Sequence, residues 1–165
     1  SLLKMDERRR GVGSDLSGDA LKVAEMNREK LGISKERCTF FKSDLFEKIE
    51  GDYDLIVSNP PYIRTEEIEK LQEEVRLYDP YEALDGKEDG LYFYRRMISE
   101  AGLYLRKGGS LLFEIGYDQA EEVSGLFKEA GFEQIRVKKD LAGLDRVVGG
   151  VENKARENEE ELTNV

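Results

Sequence analysis

At 165 residues the chain is long enough for one domain with a sizeable core and too short for two full ones. Its 26 basic and 36 acidic residues leave a formal net charge of −10, which does not attract phosphate backbones, so no direct nucleic-acid partner is expected. Histidine is absent, which excludes Ser-His-Asp and Cys-His nucleophile systems and any zinc site that needs imidazole.

Strand-like and helix-like segments alternate along the chain, which predicts an α/β architecture with a largely parallel sheet. Residues 11–14 read as a short strand ending at Asp15. Ser17 then caps a helix carried by Ala20, Leu21, Ala24 and Leu31 and stopped by Gly32. Residues 38–42 form the next strand, and the lone Cys38 in that apolar run reads as a buried structural thiol. Asp54-Leu55-Ile56-Val57-Ser58 is a continuous apolar run closed by two prolines, the pattern of a central strand buried on both faces. Ile68, Leu71 and Val75 suggest a short helix, and residues 78–90, with Pro80, Gly86 and Gly90, an irregular loop that is a candidate for the active site. Leu91, Tyr94, Ile98, Ala101 and Leu105 recur at helical spacing after the capping Asp89, with Gly108-Gly109 as the stop. A strand over 110–115 follows, then a helix through Ala120, Val123, Phe127 and Ala130 stopped by Gly131, then a closing pair of strands over 132–138 and 145–148. Beyond Val151 the periodicity ends, so residues 1–150 are expected to be one catalytic domain and 151–165 an acidic, disordered tail. No signal peptide and no apolar run near the roughly 18 residues of a membrane span is present, so a cytoplasmic protein without membrane association is expected.

The strand over 54–58 runs directly into Asn59-Pro60-Pro61-Tyr62, at the carboxyl end where open α/β sheets bind ligands. Each proline fixes its own φ and Pro61 pushes Pro60 toward an extended conformation, so the turn is stiff. The Pro60 carbonyl and the Asn59 side-chain oxygen become two preset acceptors. An amide nitrogen is a poor nucleophile because its lone pair is delocalised. Two acceptors drawing on its two N–H bonds would localise that pair toward a methyl donor, and no strong base is needed. Holding the two reactants in line can lower a barrier by about 7–11 kcal/mol. Tyr62 offers a flat face over a planar amide, and Asn59 as acceptor would reject a carboxylate, which has no N–H to give. Asn and Pro favour turns anywhere, so in isolation the tetrapeptide reads equally as an ordinary turn.

Asp15, at the end of an earlier strand, can accept both ribose hydroxyls of a nucleoside cofactor, or serve as a first-turn acid of the helix that follows. Asp44, in Ser43-Asp44-Leu45-Phe46, can accept from an adenine amino group with Leu45 against the ring, or be a plain loop acid. No metal site is expected.

The chain resembles the HemK/PrmC family of release-factor glutamine methyltransferases. The resemblance rests on residues 51–63, on Tyr78-Asp79-Pro80 with 83–91, on Glu114-Ile115-Gly116 with Gln119, and on 140–148. It implies a Rossmann-like class I methyltransferase sheet, S-adenosyl-L-methionine as cofactor with S-adenosylhomocysteine as product, and a peptide chain release factor as protein substrate. It also implies that residues 59–62 hold the substrate glutamine and that Asp15, Leu45 and Asn59 touch the cofactor. Asp79 stands where the family usually has Glu, and Lys87 where it usually has Gly. The family's first strand and Gly-rich cofactor loop have no counterpart, since Gly11-Val12-Gly13 falls inside a strand and residues 1–4 look like the helix after that loop. The helical docking domain has no counterpart either, so the chain reads as an N-terminally incomplete catalytic domain. Two other readings compete: an adenine-N6 nucleic-acid methyltransferase using the same tetrapeptide, and a noncatalytic binding remnant.

Overall fold

Ser17 and Gly32 bracket the first helix as their chemistry requires. The Ser17 hydroxyl accepts from Ala20 N at 3.2 Å, Asp19 lies in the first turn, and Arg28 and Lys30 in the last, matching the helix dipole. The computed structural model describes residues 2–73 and 80–153, which pack as two compact units, Ser1–Gly51 and Asp52–Val165. In the first unit a 3-10 turn (Leu2–Lys4) precedes β1 (Gly11–Asp15), α1 (Gly18–Lys30) and β2 (Cys38–Lys42). β1 and β2 are parallel, from Gly11 opposite Cys38 to Asp15 opposite Lys42. Buried Arg28 is satisfied by Glu25 at 2.6 Å and by the Ile33 carbonyl at 2.9 Å. Cys38 is half-buried rather than buried, and loss of solvent still pushes its thiol pKa up, which suits an inert structural thiol.

The second unit is a four-stranded sheet in the order β3-β4-β6-β5, from β3 (Tyr53–Ser58), β4 (Leu105–Glu114), β5 (Glu133–Lys139) and β6 (Asp145–Val151). β3 and β4 are parallel, while β6 runs antiparallel to both β4 and β5. The sheet is therefore mixed, because the closing β5–β6 pair is joined by a short hairpin and needs no crossover. Single helical turns α2 (Thr65–Ile68) and α3 (Tyr81–Leu84) lead to α4 (Tyr92–Ala101), and α5 (Ala120–Glu129) joins β4 to β5. α4 buries Tyr94, Met97, Ile98 and Ala101. The aromatic rings of Tyr94, Phe113, Phe127 and Phe132 follow one another at centroid spacings of 5.2, 5.7 and 5.1 Å, each pair contributing about 0.5–1.5 kcal/mol beyond its buried area.

Three expectations change. β3 is an edge strand of its sheet, not a central one, and Leu55 and Val57 are 40% and 52% exposed. Both alternate with Ile56, which pairs beside fully buried Leu111, so they lie on the opposite sheet face. An apolar run records that both faces can be covered, not how many strands flank it. Leu105 belongs to β4, which starts five residues earlier than expected, because the helix ends at Ala101 and Gly102. Gly108-Gly109 is an irregularity inside that strand, where Gly108 N donates to Glu152 O at 2.7 Å and Glu152 N to Gly109 O at 2.8 Å. The expected helix over Ile68, Leu71 and Val75 begins as α2, which ends at Ile68 and leaves Leu71 outside it, and Val75, Tyr78, Asp79 and residues 154–165 lie outside the described residues.

Candidate active site

At the carboxyl end of β3, Ser58 pairs beside Phe113 and the chain leaves the sheet at Asn59. Asn59 is exposed, Pro60 buried, and Pro61 and Tyr62 half-buried. The loop is anchored immediately afterwards. Ile63 forms a parallel bridge with Asp85, its N–H donating to Leu84 O at 3.1 Å and its carbonyl accepting from Gly86 N at 2.8 Å. Two glycines let these backbones meet. A Cβ on Gly86 would fall 2.7 Å from Tyr62 Cα, and one on Gly90, whose φ is +75°, would fall 2.5 Å from Tyr62 O.

Gln119, just before α5 and 5% exposed, closes the arrangement. Its Nε2 donates to Tyr62 O at 3.0 Å and Gly90 O at 3.3 Å, and its Oε1 accepts from Gly116 N at 3.0 Å. The Tyr94 hydroxyl donates to Glu114 O at 3.0 Å and lies 3.4 Å from the same Oε1. Burial holds the Tyr94 phenol well above its usual pKa, helped by nearby Tyr62 and Glu114, so it stays neutral.

Beside this loop Asp85 is 6% exposed and triply bonded, to Thr65 Oγ1 at 2.6 Å, Lys87 N at 3.0 Å and Lys87 Nζ at 2.8 Å. Burial alone would raise its pKa, but the hydrogen bonds from Lys87 and Thr65 outweigh it and the carboxyl titrates below its ordinary value. Lys87 adopts φ +71°, a left-handed conformation that a glycine takes without strain.

In the first unit Asp15 ends β1, and Asp44 and Leu45 follow the carboxyl end of the neighbouring parallel strand β2. Ser43 N donates to Asp15 O at 3.1 Å, and Ser14 Oγ to Leu45 O at 3.0 Å. The Asp15 carboxylate is exposed, with Oδ1 accepting from Ser17 N at 2.7 Å, so it supports the entry to α1 while remaining open to solvent. Leu45 is held at φ +46°, a strained backbone for a residue with a Cβ. Gly13 is a packing residue, since a Cβ there would fall 2.7 Å from the Phe40 ring. The expected residues thus fall into two sets, Asp15, Asp44 and Leu45 in one unit and residues 59–62 in the other.

Gln119, Tyr94 and Asp85 were not expected as site residues. Signals for two of them exist in the sequence. A glutamine stands at the entrance of a helix whose inner face is otherwise apolar, three residues after Gly116, and Asp85 stands between the apolar pair Ala83-Leu84 and Gly86.

The model of the methyltransferase small domain family matches residues 1–76. A release factor glutamine methyltransferase of Agrobacterium fabrum is 45% identical over 90% of this chain and 51% of its own length. Those of Clostridium acetobutylicum and Geobacter sulfurreducens are 48% and 49% identical over 82% and 84% of this chain, each with 48% of its own length covered. The chain spans about half the length of the curated relatives it matches. Among solved structures, a methyltransferase from Pyrococcus furiosus superposes with a TM-score of 0.65 at 14% identity, covering 93% of this chain and 69% of that one. A ribosomal protein L11 methylase from Lactobacillus delbrueckii subsp. bulgaricus gives 0.60 at 20% identity, with 88% and 58% covered. These likenesses carry the fold, which is that of the class I methyltransferases. By sequence, the chain is similar over most of its own length to release factor glutamine methyltransferases, and its fold agrees with that likeness.

Proposed function

We propose that this protein transfers a methyl group from S-adenosyl-L-methionine to the side-chain amide nitrogen of a glutamine in a protein, in the Gly-Gly-Gln motif of a peptide chain release factor. The observation that carries the reading is the braced loop at the end of β3, where exposed Asn59 precedes a buried Pro60. The relatives' names supply the substrate, and with that substrate the reaction belongs in the cytoplasm.

In this reading Asp15 accepts from the ribose hydroxyls, Asp44 from the adenine amino group, and Leu45 packs on the ring. The exposed Asp15 carboxylate at a strand end fits a nucleoside, and Leu45 is held beside the same strand end by the hydrogen bond from Ser14 to its carbonyl. The bound cofactor supplies an electrophilic methyl carbon on a sulfonium. Asn59 Oδ1 and the Pro60 carbonyl accept the two N–H bonds of the substrate amide, which turns the nitrogen lone pair toward that carbon. Tyr62 and Pro61 line the amide's plane. The new N–C bond forms as the C–S bond breaks, and the nitrogen loses one proton to solvent. Residues 1–150 act as the catalytic domain.

The test is methyl incorporation from labelled S-adenosyl-L-methionine into a release factor and into its Gln→Glu variant, beside an adenine-containing oligonucleotide. Incorporation into the glutamine protein alone is expected. Equal labelling of the glutamate variant, labelling of the oligonucleotide instead, or an absence of S-adenosylhomocysteine binding would overturn the reading.

A further inference from the structure

Gln119 uses an amide where an apolar side chain of the same size would fill the space. Its Nε2 faces two carbonyls, Tyr62 O and Gly90 O, and its Oε1 faces the Gly116 N–H. That pattern fixes the amide's orientation, because the flipped form would set its oxygen against two carbonyl oxygens. Burying an amide is favourable only where all its hydrogen-bonding capacity is met. Here it meets carbonyls of backbone that has left regular secondary structure and accepts an N–H at the turn after β4. Three segments far apart in sequence are thereby joined at one buried point.

One of those carbonyls belongs to the motif itself. Between the clamped Tyr62 carbonyl and the Pro60 carbonyl lie Pro61, with its φ fixed by its ring, and the backbone of half-buried Tyr62 itself. The chain between the two has few soft torsions, so a shift at Tyr62 is passed on to Pro60 and Asn59. We infer that Gln119 is the positioning residue of the Asn-Pro-Pro-Tyr loop, fixing where its two acceptors stand. The inference rests on the reading of that loop as a clamp for the substrate amide. Gln119 touches no substrate; it acts through the Tyr62 and Gly90 carbonyls.

The experiment compares the intact wild-type protein with Gln119→Met, which keeps the volume and loses the donor, and with Gln119→Glu, whose carboxyl has an O–H to give only when protonated. For Gln119→Met, turnover on the release factor should fall about tenfold or more, the range for losing one such bond, while KM for the release factor and affinity for S-adenosylhomocysteine barely move. Gln119→Glu should lose turnover relative to wild type as the pH rises, whereas Gln119→Met stays low throughout. Tyr94 is the one titratable side chain within hydrogen-bond distance among the described residues, and it remains neutral across this range. A purely structural role would give neither the kcat-against-KM split nor the pH signature. Hydrogen exchange gives a readout without activity: the amides of Ile63 and Gly86 should exchange about tenfold faster or more in Gln119→Met, with Leu111 and Phe113 unchanged. Unchanged turnover in Gln119→Met, or unchanged exchange at Ile63 and Gly86, overturns the inference. Faster exchange at those amides in a protein whose wild type methylates no glutamine supports the positioning role and overturns the amide clamp.

Discussion

Replacing Gly90 with alanine should damage the loop in a calculable way. Its φ of +75° places it in the left-handed region, where a residue with a Cβ is disfavoured by about 1–2 kcal/mol. The new Cβ would stand 2.5 Å from Tyr62 O and 2.7 Å from Gln119 Nε2, so the bond between those two atoms must open. A buried hydrogen bond lost in this way costs about 1–3 kcal/mol. The sum is roughly 2–5 kcal/mol, which for a chain of this size lowers Tm by about 4–20 °C. Gly125, inside α5 with no atom within 4 Å of its ideal Cβ, is the control. Gly125→Ala should stabilise by about 0.5–1 kcal/mol, since glycine is a poor helix residue. Thermal unfolding followed by circular dichroism, with methyl transfer measured well below Tm, separates the two. If Gly90→Ala melts with the wild type and keeps its turnover, the tight approach of these backbones is not what holds the loop.

Asp85 predicts a pH dependence. Its folded pKa is lowered, so its stabilisation is complete above the unfolded carboxylate value near about 3.9 and is lost as the pH falls through the lower folded value. Urea unfolding should show Asp85→Asn less stable than wild type at neutral pH, with the gap narrowing below about pH 4; a constant gap would contradict the assignment. Ser17→Ala should lower stability by about 1 kcal/mol through loss of the cap on Ala20 N, seen as a lower urea midpoint at unchanged m. A larger loss would mean that Ser17 does more than cap α1.

The first helix, β2 and the start of β3 were legible because their signals are local: a capping serine, a terminating glycine, an apolar run. The end of α4 was not, because Leu105 continues a helical spacing while Gly102 and the pull of the β3–β4 pairing take it into a strand. Neighbour count was not legible either, since apolar residues such as Leu55 and Val57 report burial capacity but not which strand comes alongside. At the site, residues 59–62 announce themselves by their own stiffness. Gln119 shows only as a polar residue at a helix entrance, because its role depends on two carbonyls 57 and 29 residues away. Asp85 is similar, with Thr65 reaching it from 20 residues earlier.

The most direct test of the amide clamp is methyl transfer by Asn59→Ala in the intact protein, at matched thermal stability and saturating cofactor. Asn59 is exposed at a strand end, so the fold should survive. One substrate hydrogen bond lost costs about 1–3 kcal/mol, and the lost alignment of the nitrogen adds to it, so turnover on the release factor should fall by at least about a hundredfold. Turnover near that of the wild type would contradict the account.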